Sequence, residues 1–436
     1  MQQQVQLKKS ITWIQGVALT IGAVLGSGIL VLPAITADMA GPASLISWLL
    51  MGLLSIPMVI AIGLMSSRFP DAGGMATYSR QAFGQRASQL TGILILSAMP
   101  FGMPVTALIG AHYLGSVFAW SSGEINLAAA GLLLLAITLN YRGIELSGRT
   151  QVFVVSSILF ILTFAVWSAI PQIHFSAFTP FLAHGWLPVG ETMTLLFFAF
   201  MGWEMIGHLA EEFPNPGRDI PLSLGIAALL VNLLYLAVAF VTVGSEIYRS
   251  GNPVTAMVTL VALRWGEVAG IFVALLGFMV CYCPVHTYIA GFSRLVYAQA
   301  RDGHFPARFS RLHPRFQTPH IALLCFAPAY LIILCLSYQF SWDLKPLISI
   351  PCATFLAVYM IGMVSAARIL PTRLGKSSAW LSAFLSGVVF LFSGWFALFP
   401  IVVMILVVCH QHRRPAAPSA LHNYADEKEN HFFDPH

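Results

Sequence analysis

The chain has 436 residues, of which 58% are hydrophobic and only 9% charged, and its mean hydropathy is +0.80. Soluble domains carry roughly 25% charged residues, so a water-soluble enzyme or binding domain is excluded and a polytopic membrane protein is expected. The net charge of +5 calls for no nucleic-acid partner, because its lysines and arginines are scattered over many short segments between apolar runs.

Twelve apolar segments follow in order: about 11–35, 43–65, 88–118, 127–141, 150–171, 190–210, 222–245, 268–293, 320–339, 346–367, 378–393 and 395–410. A bilayer crossing needs about 20 apolar residues. The third run is long enough to tilt, and the last two share one unbroken apolar stretch. The first is too long for a signal peptide and lacks a small-residue cleavage site, so it reads as a permanent span.

That first span holds Gly22-Ala23-Val24-Leu25-Gly26-Ser27-Gly28 in its middle. Each glycine weakens a helix by roughly 1 kcal/mol relative to alanine. Backbone freed from helical bonding inside a membrane is tolerated only where it lines a cavity or is buried in protein. The segment therefore reads as a broken helix at a mid-membrane ligand site. Small residues at this spacing also suit helix packing, and that alternative stays open.

With twelve spans and both ends on one side, all but Arg249, Arg264 and Lys345 of the 22 lysines and arginines fall on that side. The positive-inside rule makes it the cytoplasm. The six cysteines all lie in apolar runs and read as small hydrophobes. Cys281 and Cys283 are spaced onto different helix faces, so neither a metal nor a redox pair is expected. His410, His412 and the polar, proline-containing tail to His436 read as a juxtamembrane segment and an unfolded end.

The sixth span carries Phe197-Phe198-Ala199-Phe200-Met201-Gly202-Trp203-Glu204, a glycine and an ionisable residue among aromatics. An acid in hydrocarbon costs about 2.5–3.5 kcal/mol on insertion scales, so Glu204 must face a partner, water or the bundle interior. It is a functional candidate, with a structural hydrogen bond as the alternative; His208 follows one turn later. Interrupted helices at spans one and six correspond if spans 1–5 and 6–10 form two inverted repeats, the pattern that points to a transport site. Amides at Gly26, Ser27 and Gly28 could hold a carboxylate at a half-helix N-terminus. Carbonyls near Ile21, Gly22, Phe198 and Phe200 could accept from an ammonium group, with Phe198, Phe200 and Met201 meeting the side chain. A ligand carrying both groups close together is an amino acid.

Five short motifs then fall in order along the chain. Gly26-Ser27-Gly28-Ile29 is similar to a G-[ST]-G-I motif and Phe200-Met201-Gly202-Trp203-Glu204 to F-x-G-F-[DE]. Glu211 to Pro221, with Asn215-Pro216 and Arg218-Asp219-Ile220-Pro221, is similar to E-x-x-N-P-x-R-x-I-P. Asp71-Ala72-Gly73-Gly74 with Tyr78 and Phe83-Gly84 fits a first cytoplasmic loop. Arg294, Ala300-Arg301-Asp302-Gly303-His304-Phe305-Pro306 and Thr318-Pro319 fit the loop after the eighth helix. Together they resemble the amino acid–polyamine–organocation (APC) permeases over nearly the whole chain. Within that family the stretch from His208 to Asp219 looks most like bacterial exporters of methionine and branched-chain amino acids.

The resemblance implies an all-α polytopic fold of about twelve spans: a LeuT-like 5+5 inverted repeat with helices 1 and 6 broken, and two further C-terminal helices. Residues 1–10 would be a cytoplasmic N-terminus, 11–171 the first repeat, 190–367 the second, 378–410 the last two spans and 411–436 a disordered cytoplasmic tail. It implies alternating-access transport of neutral apolar L-amino acids such as methionine, leucine, isoleucine and valine across a bacterial inner membrane. Substrate would meet Gly22, Ala23, Gly26, Ser27, Gly28, Phe198, Phe200, Met201 and Gly202. Phe198 would be an aromatic lid and Glu204 a proton-sensitive group. Some proton-coupled members carry a lysine in the fifth helix; Ser157 stands there instead, so coupling through such a lysine is not expected, and a proton, a sodium site using Ser157, or simple exchange stays open. Asn215, Arg218, Asp219, Arg294, Arg301 and Asp302 would gate the cytoplasmic side. No cofactor, no metal and no nucleic acid is expected, and oligomeric state is left open.

Other classes fit less well. A transporter of another amino acid or a polyamine is the nearest alternative, then a non-transporting membrane sensor on the same fold. An embedded enzyme needs a convergent cluster, whereas Glu204, His208, His112 and His286 are scattered along the sequence. A channel would need charge rings or a carbonyl filter.

Overall fold

The computed structural model describes residues 11–71, 73–143, 148–249 and 253–413. The expected N-terminal segment 1–10 and the tail from 414 onward lie outside the described residues. All the regular structure described is helical.

The first span is two helices. Helix α1 (Trp13–Val24) opens with a capping box in which the Thr12 side chain accepts from the Gln15 amide and Gln15 answers to the Thr12 amide. It stops at Leu25, and α2 (Ser27–Ala40) restarts after an extended Gly26. A 3₁₀ turn at Gly41–Ala43 joins α2 to α3 (Ser44–Arg68). The apolar stretch Ser27–Arg68 has 42 residues. As one straight helix it would run about 63 Å, twice a hydrocarbon layer, so the turn at Gly41, where φ is +62°, separates two crossings.

Next come α4 (Met75–Phe83), α5 (Gln85–Phe118), α6 (Ser122–Tyr141) and α7 (Gly148–Ala169). Helix α6 starts earlier than its apolar run because Ser121 and Glu124 form a second capping box. The sixth span is α8 (Leu187–Phe200) followed by the single turn α9 (Met205–His208). Then follow α10 (Pro216–Gly244), α11 (Ala256–Trp265), α12 (Glu267–Arg301), α13 (His320–Gln339), α14 (Leu344–Ile369), α15 (Arg373–Leu391) and α16 (Leu398–Arg413).

Eleven described stretches are long and apolar enough to cross a membrane, one of them being the doubled Ser27–Arg68. Counted as two crossings, that stretch brings the number to the expected twelve. The unbroken apolar stretch near the C-terminus is split by a 3₁₀ turn at Gly394–Ala397, where Gly394 has φ +54°. Helix α16 runs through Arg413, so residues 411–413, expected in the tail, are helical, and Gln411 Nε2 donates to Arg86 O at 2.9 Å. Helix α12 continues past its apolar run to Arg301, and its end stays packed, with Leu295, Val296, Ala298, Gln299 and Ala300 buried. Two short helices, α4 and α11, were not expected, since neither is long enough to show as a span.

The two breaks meet at the centre of the bundle. A Cβ placed on Gly28 would lie 2.7 Å from Ala199 Cβ and 2.8 Å from Ala199 Cα. One on Gly202 would lie 2.9 Å from the carbonyl carbon and oxygen of Ala23. One on Gly26 would lie 3.1 Å from Pro284 of α12. Gly202 also has φ +123°, a conformation open to glycine and strained for other residues. The packing alternative considered for Gly28 is thus realised at that residue, and it coexists with the helix break.

Gly202→Ala is expected to lower thermal stability by about 1–3 kcal/mol. Gly225→Ala is the control: it lies in α10 with nothing within 4 Å of an added Cβ and should be neutral or stabilising by up to about 1 kcal/mol. Melting curves of the two purified variants read the difference.

Candidate functional site

Helix α2 begins at Ser27, so the first amides of this half-helix have no partner within it and carry the positive end of its dipole. Ser27 and Gly28 supply two of them. The Gly26 amide differs from expectation: it donates to Val24 O at 2.8 Å and is already used. Ser27 is 1% exposed, and its hydroxyl lies 3.4 Å from Thr106 Oγ1 of α5, which itself donates to Gly102 O at 2.9 Å. Gly22 and Ala23 are buried in the last turn of α1.

At the second break, α8 ends at Phe200 and leaves its last four carbonyls without helical donors. The Tyr235 hydroxyl, reaching from α10, lies 2.8 Å from Ala199 O and 2.9 Å from Val24 O. The two freed strands of backbone therefore share one donor. Of the carbonyls expected to be free, Ile21 O accepts from the Leu25 amide at 2.6 Å.

Glu204 sits in the turn between α8 and α9 at 3% exposure. Its Oε2 accepts from the Gly202 amide at 2.9 Å and from the Tyr359 hydroxyl of α14. Its Oε1 accepts from the Tyr288 hydroxyl of α12 at 3.2 Å. Both oxygens are thus engaged by groups that hold the unwound turn against two long helices. The neighbouring Trp203 indole N–H is buried with no acceptor among the described residues.

The three phenylalanines of the sixth span part company. Phe197 meets Tyr359 edge-on at 5.4 Å between ring centroids. Phe200, expected to touch substrate, packs on Tyr235 at 5.1 Å and near Trp48 at 6.2 Å, behind the break. Phe198 is half-buried and remains the aromatic with open surface, while Met201 is buried. Ser157 of α7 is half-buried and its hydroxyl donates to Phe153 O at 2.9 Å, within its own helix. An apolar cavity lies to one side, lined by Leu30 of α2, Ile158 and Leu162 of α7, Met257 of α11 and Val273 and Val280 of α12.

The end of the bundle that carries the Asp71 loop is closed by charges. Arg80 Nη1 donates to Asp302 Oδ2 at 2.8 Å and Arg80 Nη2 lies 3.5 Å from Asp71 Oδ2. Arg301 stands 3.9 Å from the same Asp71 oxygen. Arg294 pairs with Glu212 at 3.5 Å. The chain start is tied to the same end, with the Ile11 amide on Glu212 O at 3.1 Å and Ser223 Oγ on Trp13 O at 2.9 Å. Of the six residues expected to gate, Arg294, Arg301 and Asp302 enter these pairs. Asn215 starts α10 without capping it through its side chain; Arg218 is exposed and Asp219 buried, and they do not pair with each other. His208 is 1% exposed, packed beside Gly74 and Gly291, and so not at a watery end. His286 belongs to a separate cluster with Asn140 and Tyr282.

Sequence reasoning missed Tyr235, Tyr288, Tyr359, Arg80 and Thr106. A signal existed for the tyrosines: each sits in mid-span, away from the membrane interface where tyrosine is usual, and a buried hydroxyl needs an acceptor. Among the described residues no group of three or more His, Cys, Asp or Glu could hold a metal ion.

Two half-helices that break and meet at mid-bundle, one presenting its first amides and the other its last carbonyls, make the LeuT-like fold of a membrane transporter. The amino acid permease family model matches residues 11–407, and the chain belongs to that family of the APC superfamily. It is an amino acid transporter, of a family of permeases rather than enzymes. It is 41% identical to an uncharacterised amino acid permease, YecA, of Bacillus subtilis, over 91% of this chain and 94% of that one. It is 30% identical to YjeH, the L-methionine/branched-chain amino acid exporter of Escherichia coli, over 91% and 95%. Its fold is similar to a crystal structure of the Eremococcus coleocola manganese transporter, with a TM-score of 0.61, 14% identity, and coverage of 93% and 95%.

Burial pushes the Asp71 carboxyl up, but the Thr77 hydroxyl, the Gly73 amide and the Arg80 and Arg301 guanidiniums outweigh it and hold it below the usual carboxylate range. A carboxyl lowered on folding stabilises above its unfolded value and loses that stabilisation as pH falls through the folded one. The cluster is therefore expected to hold unchanged from pH 8 to about 5 and to weaken only below about 4. Asp71→Asn should move that loss of thermal stability to neutral pH; melting curves across pH read it.

Proposed function

We propose that this permease carries neutral, apolar L-amino acids, with methionine, leucine, isoleucine and valine as substrates, by alternating access around the paired breaks. One observation carries the reading: both oxygens of Glu204, the carboxylate at the breaks, are engaged by Gly202, Tyr288 and Tyr359. It is not offered to a cationic side chain, which argues against arginine, lysine or a polyamine. The α-carboxylate would lie on the Ser27 and Gly28 amides, and the ammonium on carbonyls at the ends of α1 and α8. The side chain would lie against Phe198 and Met201. Gly202 on the Ala23 backbone and Gly26 against the Pro284 ring would shape this volume, with Gly22 buried in the last turn of α1. Phe200 supports it from behind. The similarity to YjeH, a methionine/branched-chain amino acid exporter, and to a 28% identical branched-chain amino acid permease, BcaP, of Bacillus subtilis supports the same substrates.

In this reading the repeats are 11–171 and 190–367, the protein sits in a bacterial inner membrane, and the basic bias places both termini in the cytoplasm. The face closed by Asp71, Arg80, Arg301 and Asp302, and by Glu212 with Arg294, is then the cytoplasmic gate. Asn215, Arg218 and Asp219 would position the start of α10 beside it. A proton acting at Glu204 is the coupling ion we favour over sodium near Ser157. Flux direction follows from the gradients.

Counterflow in proteoliposomes tests the proposal. Saturable methionine and leucine uptake should be driven by internal apolar amino acids and not by arginine or putrescine. Gly26→Leu, at normal insertion, should abolish it, because its side chain would meet Pro284. Glu204→Gln should flatten the pH profile of uptake; an unchanged profile would remove Glu204 as the proton site. Uptake stimulated by arginine or putrescine would overturn the substrate class.

A further inference from the structure

A helix break in a membrane leaves carbonyls that helical bonding no longer satisfies. An unsatisfied buried carbonyl costs about 1–3 kcal/mol, and the penalty is not relieved in hydrocarbon. Here the Ala199 carbonyl belongs to the last turn of α8, where the helix supplies no donor. Val24 O ends α1 and accepts from the Gly26 amide across a tight turn. Both carbonyls face the Tyr235 hydroxyl. That hydroxyl has one proton for two acceptors.

The ring that carries it is held rigidly. Tyr235 is 1% exposed, packed edge-on against Trp48 at 5.3 Å and against Phe200 at 5.1 Å. Trp48 is fixed in turn by its indole N–H on Thr36 Oγ1 at 3.2 Å, and Thr36 lies on α2. The tyrosine thus contacts both broken spans through their carbonyls and leaves the Ser27 and Gly28 amides unengaged by it.

We propose that Tyr235 is the positioning residue that clamps the two unwound segments into one unit. Through Val24 O and Ala199 O it fixes the distance between the carboxylate-binding amides of the first span and the ammonium-binding carbonyls of the sixth. It touches no substrate. It acts on the part of the ligand that all amino acids share, so its effect on affinity is the same for every substrate. The clamp rests on the reading that the breaks bind an amino acid, but its mechanical consequence does not need a known substrate.

Tyr235→Phe removes the hydroxyl and keeps the ring packing. Hydrogen exchange of the full-length variant in nanodiscs should be faster by about fivefold to tenfold in peptides covering 24–29 and 199–205 together, and unchanged in 220–232 of α10. In proteoliposomes the KM for methionine, leucine and valine should rise by one common factor of about that size, with Vmax within about twofold. Unchanged exchange at both segments, or faster exchange at only one, overturns the clamp. So does a KM that stays put while Vmax falls, which is the signature of a merely structural tyrosine. Should the variant fail to fold, the unmodified protein decides. Segments clamped together open with one common temperature dependence of exchange, and separate dependences overturn the proposal. Absence of wild-type uptake with normal coupled exchange would refute the substrate assignment and leave the clamp standing.

Discussion

The site depends on one contact: two interrupted helices pressed backbone to backbone at the middle of the bundle. Gly28 lies on Ala199 and Gly202 on Ala23 with no room for a Cβ at either place. Close backbone approach is what small residues allow in membranes. It brings the amide end of α2 within reach of the carbonyl end of α8, opposite polarities at one depth. Helix break and helix packing are usually alternative explanations for a glycine run. Here each enables the other, because a helix that stops has exposed backbone and a glycine lets a second backbone cover it.

Exposed backbone in hydrocarbon must be satisfied by something. The protein uses tyrosine hydroxyls from helices outside the broken pair. Tyr235 of α10 serves two carbonyls, and Tyr288 of α12 and Tyr359 of α14 hold Glu204, which itself accepts from the Gly202 amide. Tyr113 of α5 also donates to a backbone carbonyl, Leu30 O within α2, at 2.9 Å. A phenol is suited to this, since its ring packs like any apolar side chain and its tip donates one hydrogen bond. The unwound segments are therefore as tightly determined as the helices on either side.

At the end closed by charges the principle changes. Asp71, Arg80, Arg301, Asp302, Glu212 and Arg294 pair at a partly solvated surface, with side chains from 9% to 45% exposed. Exposed ion pairs are worth little each, which suits the gate proposed for this face, whose contacts would break once per transport cycle. Buried hydrogen bonds fix the unwound segments, and partly solvated ion pairs close the end that carries the Asp71 loop.

Much of this was written in the residues themselves. Apolar length set the spans, because hydrocarbon thickness is a one-dimensional constraint that a sequence meets segment by segment. The glycines at 22, 26, 28 and 202 and the acid at 204 marked the two breaks, since each is locally unfavourable in a spanning helix. Which partner answers each disturbed group was decided only in three dimensions. Gly26 gave its amide to Val24, Phe200 turned toward Trp48, Ser157 bonded within its own helix, and Tyr235 came from a span about 210 residues away from Val24. Local sequence reports what a segment lacks. Hydrogen-bond donors and packing surfaces arrive from distant segments, and the fold alone sets which of them arrives.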